Sequence, residues 1–190
     1  IRAEEDGDVL SDDELIENVV LLYLAGHETT VNLIGNGVNA LLANRDQFER
    51  LVDDPSLDAN AIEELLRYDS PVQFSRRIAL EPFEVAGHPI AVGEIVLTGL
   101  GAANRDPEKF GPTAEELDIT RADANHHISF GSGVHHCLGA ALARLEGRIT
   151  IPAVLRRFPE LEMATDSPRW NGRMVLRGLA ELPVTLGRPA

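Results

Sequence analysis

The sequence predicts a mainly α-helical protein with small antiparallel β-sheets and one long central helix. Three features of the pattern carry that reading. From Glu14 to about Ala43 no proline interrupts an apolar-rich run, which as a helix of roughly 30 residues makes a rod of about 45 Å. Between Ile78 and Gly99 the apolar spacing shortens to that of strands. From Cys137 to Phe158 helical spacing returns.

The elements follow in order. Ile1 to Asp8 is acidic and glycine-containing and reads as a loop. Ser11-Asp12-Asp13-Glu14 matches a capping box, in which the Ser hydroxyl accepts from the backbone three residues on while Glu14 reaches back, so a helix starts there. Its segment Val19-Val20-Leu21-Leu22-Tyr23-Leu24-Ala25-Gly26 is apolar around the whole circumference, the pattern of a helix buried on all sides. His27, Glu28, Thr29 and Thr30 end that segment too early for a membrane span. Arg45 to Val52 and Ala59 to Tyr68 read as short helices, stopped before Asp54-Pro55 and Ser70-Pro71. Ile78, Leu80, Val85, Ile90, Val92, Ile95 and Leu97, with turns at Ala86-Gly87 and Val92-Gly93, read as short antiparallel strands. Asn104 to Arg121 is polar and proline-bearing, an irregular meander. The helix from Cys137 to Phe158 carries Leu138, Leu142, Leu145, Ile149 and Leu155 on one side, with a break allowed at Pro152. Met174 to Leu176 and Leu182 to Leu186 suggest a terminal hairpin.

The chain has 190 residues, 44% hydrophobic and 25% charged, ordinary values for a globular protein. Its net charge of −14 repels polyphosphate and anionic headgroups, which argues against nucleic acid as a partner. Sixteen arginines stand against one lysine, Lys109, an imbalance from which no function is drawn. The single cysteine, Cys137, cannot close an internal disulfide, so a reducing cytoplasm is the expected compartment. The sequence opens at Ile1 without an initiator Met or a signal sequence, and its numbering is expected to begin inside a longer protein.

The strongest motif is Phe130-Gly131-Ser132-Gly133-Val134-His135-His136-Cys137-Leu138-Gly139. A glycine-rich loop delivers a thiol to the start of a helix, where the exposed N–H groups and the dipole favour a thiolate. Three glycines leave room for something flat and close. Such a thiolate serves as a nucleophile, a zinc ligand or an axial ligand of haem iron. Zinc wants at least three protein ligands, and Cys137 with His135 makes two, with His126 or His127 as third candidates. A thiol nucleophile wants a facing base. Haem needs one protein ligand and an uncluttered face, which a lone Cys among glycines supplies. A buried structural Cys is the common use of an arbitrary cysteine. Here Phe130, Gly131, Gly133, His135, Cys137, Leu138 and Gly139 stand together at a spacing that average residue usage produces by chance roughly once in a billion starts.

Three further patterns accompany it. Ala25-Gly26-His27-Glu28-Thr29-Thr30 lies inside the long helix, with Ala25 and Thr29 one turn apart on one face. Alone, Thr29 reads as a hydroxyl bonded to its own backbone, and Glu28 as an acid that must be solvated, paired or protonated. Glu64-Leu65-Leu66-Arg67 sets a carboxylate and a guanidinium three residues apart, ordinarily a weak surface pair. Ser75-Arg76-Arg77-Ile78 opens the strand region with a carboxylate-binding side chain.

Together these motifs resemble the cytochrome P450 family in its bacterial soluble form, over about Ser11 to Leu186. The resemblance implies the C-terminal half of that fold, with residues 1–190 a single incomplete domain whose N-terminal helices are absent. It implies haem b bound by the thiolate of Cys137, with Phe130 packed near the sulfur and Gly131 and Gly139 shaping the loop. His135 and Arg77, or Arg76 if the register slips by one, would contact haem propionates. In the central helix, Ala25 and Gly26 would form the notch for dioxygen, and Glu28 and Thr29 would relay protons. Glu64 and Arg67 would anchor the meander structurally. The arginine that the family offers there is replaced by Glu116-Leu117, with Arg121 the candidate stand-in. His126, His127 and His136 match nothing fixed and read as solvated polar residues.

The activity implied is monooxygenation of a small lipophilic substrate held by Leu24, Val72, Phe74 and Val175, with electrons from a ferredoxin and ferredoxin reductase and no membrane anchor. The readings from other classes are a non-catalytic haem- or metal-binding module and a zinc-bound interaction domain. Glu28-Thr29 speaks for an oxygenase, because a sensor needs no proton relay.

Overall fold

The computed structural model describes residues 4–5 and 8–190. The protein is mainly helical with four two-stranded antiparallel sheets among the described residues. Glu4–Glu5 (β1) pairs with Asp8–Val9 (β2), so part of the segment read as a loop is a minimal hairpin; residues 1–3 and 6–7 of that reading lie outside the described residues.

The long helix α1 spans Asp12–Ala43, 32 residues, and starts at the capping box: the Glu14 amide donates to Ser11 Oγ at 3.3 Å and the Ser11 amide to Glu14 Oε2 at 2.9 Å. Two short helices, α2 (Arg45–Asp53) and α3 (Asp58–Tyr68), follow, each with a strongly amphipathic pattern. Phe74–Ile78 (β3) pairs with Ile95–Gly99 (β6), enclosing the hairpin of Phe83–Val85 (β4) and His88–Ile90 (β5). The β4–β5 turn at Ala86-Gly87 has positive φ at both residues, as a tight two-residue hairpin requires. Leu80 and Val92, read as strand residues, sit in the connecting turns instead, where the Gly93 amide donates to the Ala79 carbonyl. A single-turn helix, Leu100–Ala103 (α4), precedes the meander, and a second, Pro107–Phe110 (α5), lies within it.

The last helix, α6, spans Ala140–Arg157 and therefore starts three residues after Cys137, whose amide is already engaged by the Phe130 carbonyl at 2.9 Å. It runs through Pro152 without a break, for Pro152 is buried between Ile151 and Leu155 in a well-packed stretch. The terminal hairpin is a different one. Val184–Thr185 (β8) pairs with Glu162–Met163 (β7), because residues 175–177 are claimed elsewhere: the Gln73 amide donates to the Val175 carbonyl and the Arg177 amide to the Pro71 carbonyl.

The core joins α1, α2, α3 and α6 through Leu33, Leu41, Phe48, Leu51, Ile62, Leu65, Ile151 and Leu155. Helices α1, α3 and α6 meet at Gly37, where an added Cβ would stand 3.0 Å from Ile151 Cδ1 and 3.1 Å from Leu65 Cδ1. A Cβ on Gly147 would stand 3.5 Å from Leu33 Cδ2. The pairs 33 with 147 and 37 with 151 advance together, so α1 and α6 run parallel.

Two apolar faces depart from the sequence reading. Residues Val19 to Gly26, read as buried on all sides, are exposed, Tyr23 by 68% and Leu24 by 62%, since burial on α1 begins only at Asn32. On α6, Leu142, Leu145 and Ile149 are exposed with Leu138 before them; the core-facing side carries Gly147, Ile151 and Leu155. Each face exposes several large apolar side chains on neighbouring turns, more than the scattered singles of an ordinary surface. The 190-residue chain is therefore expected to bind a hydrophobic dye strongly. Val20→Asp with Leu21→Asp should lower that fluorescence while circular dichroism keeps its helical signal. Unchanged fluorescence would show those side chains covered.

Candidate functional site

Cys137 is exposed, at the end of a loop built by backbone conformation rather than by side chains. Gly131 (φ 71°) and Gly133 (φ 73°) sit in the left-handed region, where a side chain is strained. Between them and the sulfur lies a single 3₁₀ turn, Gly133–His135. The Cys137 amide returns to the Phe130 carbonyl at 2.9 Å, and a Cβ on Gly139 would meet Cys137 Sγ at 3.9 Å. Val134 and Leu138 beside the sulfur are 98% and 88% exposed. The thiol thus stands on an open, apolar, glycine-lined face. His135 and His136 are exposed, and the His136 ring lies 6.4 Å from that of Phe130.

Carried back one turn from Leu33 and Gly147, the parallel register of α1 and α6 sets Thr29 level with Ala143, and two turns back sets Ala25 level with Gly139. The Ala25-to-Thr29 turn and the cysteine loop therefore share one end of the helix pair. Thr29 Oγ1 donates to the Ala25 carbonyl at 2.7 Å, the local bond that a mid-helix Thr favours. Ala25 and Gly26 are exposed, and nothing lies within 4 Å of a Cβ built on Gly26. The Glu28 carboxylate is paired with the Arg173 guanidinium. Sequence reasoning missed Arg173, which lies 145 residues away in a turn without a motif.

Glu64 and Arg67 are fully buried. Arg67 Nε and Nη2 grip both Glu64 oxygens at 2.7 and 2.8 Å, and its remaining donors reach the carbonyls of Asn104 (2.8 Å), Ala114 (2.7 Å) and Glu116 (2.9 Å). Arg121 Nε lies 3.2 Å from Glu64 Oε1, so the guanidinium that the meander lacks at Glu116-Leu117 comes from Arg121, five residues after Glu116. The Asp118 amide also donates to Glu64 at 2.9 Å.

Arg77 lies exposed on β3, its guanidinium donating to Ser75 Oγ (2.5 Å) and the Arg76 carbonyl (2.9 Å); Arg76 is exposed too. Val72 bridges to Leu176, and the Gln73 amide joins the Val175 carbonyl, so Val72, Phe74 and Val175 gather on neighbouring backbone. Leu24 is exposed on α1, one turn before Glu28, whose Arg173 partner leads into Val175.

His127 corrects the reading of it as solvated. Its side chain is 1% exposed and its Nε2 lies 3.1 Å from Glu63 Oε2, because the cysteine loop folds back onto α3. His126 stays exposed, 3.3 Å from Lys109 Nζ. Among the described residues, no three His, Cys, Asp or Glu side chains gather as a metal site, which leaves the zinc reading without a ligand set. Arg144 closes on Glu63 from α6 with Nε at 2.8 Å and Nη2 at 3.0 Å. Burial pushes the Glu63 carboxyl up, but hydrogen bonds from His127 and Arg144 and the Arg144 charge outweigh it and hold it at about 2.

These parts define a class: a helical scaffold that offers one exposed thiol from a glycine loop beside a long helix bearing an acid and an alcohol. A family model, Cytochrome P450, matches residues 1–180. The polyketide biosynthesis cytochrome P450 PksS of Bacillus subtilis (strain 168) is 49% identical over 191 residues, 99% of this chain and 47% of that protein. The vitamin D(3) 25-hydroxylase of Pseudonocardia autotrophica is 50% identical over 188 residues, 97% of this chain and 46% of that protein. The solved structure of PksS matches with a TM-score of 0.92 at 49% identity, covering 98% of this chain and 48% of that one. That of P450BioI in complex with a hexadec-9Z-enoic acid ligated acyl carrier protein matches with a TM-score of 0.90 at 47% identity, covering 95% and 46%. The chain belongs to the cytochrome P450 family and spans about half the length of the curated relatives it matches. No helix of the described residues is long and apolar enough to cross a membrane.

Two outcomes follow from the charge clusters. Arg67→Ala leaves the Glu64 charge buried beside one remaining guanidinium and should cost about 3–5 kcal/mol in denaturant unfolding; a cost under about 1 kcal/mol would show the pair dispensable. Glu63 has its carboxyl lowered from 4.5 to about 2, so its ionised form adds stability that is complete above pH 4.5 and fades as pH falls toward 2. The stability gap between the native chain and Glu63→Gln should therefore shrink across that window, read by unfolding at stepped pH.

Proposed function

We propose that the protein is a haem-thiolate monooxygenase that inserts one atom of dioxygen into a small lipophilic organic molecule, with electrons from a ferredoxin and its reductase. The observation that carries this reading is the lone thiol of Cys137, exposed on a glycine-lined apolar face at the same end of the helix pair as Glu28 and Thr29. The residues fit a flat macrocycle: two loop glycines at positive φ keep side chains off the face, while Val134 and Leu138 offer apolar contact around the sulfur. Haem b, when held there, supplies the oxygen chemistry, which a thiolate ligand favours.

The chain's own residues then have separable tasks. Cys137 provides the thiolate, Phe130 packs near it, and Gly131 and Gly139 keep its approach open. His135 and Arg77 bind the propionates, for which Arg77 must exchange its local bonds to Ser75 and Arg76. Ala25 and Gly26 leave a notch on α1. Thr29 holds its proton at the Ala25 carbonyl, and Glu28, one residue away and half-buried beside Arg173, can receive a proton from solvent and pass it inward. Glu64 and Arg67 hold the meander and touch no reactant.

Leu24, Val72, Phe74 and Val175 supply an apolar lining, which suits a lipophilic substrate. The relatives named for vitamin D(3) and solved with a fatty acyl chain support the same chemical class. Residues 1–190 form part of one haem domain in this reading. A free thiol ligand also suits a reducing cytoplasm.

Cys137→Ser in the haem-loaded full-length protein is expected to abolish the red-shifted absorption of the ferrous carbonyl complex. Retention of that band would overturn the ligand assignment.

A further inference from the structure

The Glu63 cluster has no part in the proton route or in the propionate contacts, yet it lies against the cysteine loop. Three elements converge on its carboxylate: α3 carries it, α6 sends Arg144, and the loop sends His127. Arg148 of α6 adds a second cation with Nη2 at 3.9 Å. The Ser129 amide donates to His127 Nδ1 at 3.1 Å, so Nδ1 carries no proton and Nε2 donates to Glu63. The imidazole is thus held at both nitrogens. Its ring lies 5.6 Å from that of Phe130 and tilted by 51°, while the Arg144 guanidinium stands 4.5 Å over the same Phe130 ring.

Phe130 is the residue whose carbonyl accepts the Cys137 amide at 2.9 Å. Its ring is therefore held from two sides by groups that share one carboxylate, and its backbone is the hydrogen-bond partner of the thiol-bearing residue. The neighbouring backbone is fixed too: Ser129 Oγ donates to the Leu66 carbonyl at 2.7 Å, Asn104 Nδ2 donates to Ser129 Oγ at 2.8 Å, and the Ile128 amide donates to Asn104 Oδ1 at 2.8 Å.

We propose that Glu63, His127 and Arg144 are positioning residues for the ligand loop: by clamping the Phe130 ring they fix the backbone that orients the Cys137 sulfur toward the iron. The proposal rests on the haem-thiolate reading above. None of the three touches the sulfur, and their effect reaches it only through Phe130. Hydrogen bonds to a charged group are strong, so removing one member should loosen the loop measurably.

The test uses the haem-loaded full-length protein, with two readouts: the lifetime of the thiolate–carbonyl absorption and the reduction potential. A wild-type protein without that absorption overturns the haem-thiolate reading itself and the clamp with it. With the absorption present, His127→Ala should shorten its lifetime roughly tenfold, the worth of one hydrogen bond to a charged partner, and should shift the potential. His127→Gln can still donate to Glu63 and should restore most of both. Should His127→Ala fail to take up haem, Arg144→Gln decides, since it removes the cation over Phe130 and leaves the His127–Glu63 bond; a shifted potential is expected. Wild-type values in both His127→Ala and Arg144→Gln would overturn the clamp. So would a shortened lifetime with an unmoved potential and no rescue by Gln, the signature of general destabilisation.

Discussion

The buried ion pair of Glu64 and Arg67 is the constraint on which the remaining structure leans. Taking both charges out of water is expensive, and it is tolerated only where every donor and lone pair finds a partner. Here the partners are the backbone of the meander itself: carbonyls of Asn104, Ala114 and Glu116, and the amide of Asp118. A long irregular segment packed under a protein ordinarily leaves backbone groups unpaired. The pair satisfies these groups with ionic partners, so the helix and the meander become stable only together. Arg121 adds a second guanidinium that reaches Glu64 and the carbonyls of Phe110 and Thr113.

Adjacent positions on a helix point about 100° apart. Glu63 and Glu64 exploit that divergence. Glu64 faces the meander, and Glu63 faces α6 and the loop that carries Cys137. The two systems also meet through Asn104, whose carbonyl binds Arg67 and whose side chain binds Ser129 and Ile128. One short helix therefore backs both irregular segments, and the thiol-bearing loop inherits its rigidity from charges that never reach the exposed face. Sulfur at an open surface and carboxylates in a dry interior are two ends of one hydrogen-bonded construction.

What could be read from residues alone was what local chemistry decides. The capping box at Ser11 and Glu14 and the Ala86-Gly87 turn act within a few positions, and each took its expected form; Glu64 and Arg67 pair at their three-residue spacing, but buried rather than at the surface. Long-range choices were not readable. Met174 to Leu176 has the pattern of a strand, but nothing local says that it will lie against Val72 rather than against 182–186. His127 looked like a solvated residue because its partner, Glu63, is 64 positions away. Hydrophobic spacing likewise marks an apolar face without naming what covers it: of the residues read on one side of the last helix, Leu142, Leu145 and Ile149 are exposed, while Leu155 is buried with Gly147 and Ile151.

Along α1 the change from exposed to buried falls within a single turn. Every residue from Leu21 to His27 is exposed, Glu28 to Thr30 are half-buried, and past the exposed Val31, Asn32 and Leu33 are closed off. The acid and the alcohol thus occupy the step between an accessible surface and a packed interior. The Glu28 carboxylate is paired with the more exposed Arg173 guanidinium, while the Thr29 hydroxyl is turned to the helix backbone. The register that packs Gly37 against Ile151 sets which turn of α1 lies level with the cysteine loop, so the placement of the proposed proton route rests on a contact two turns away that carries no chemistry at all.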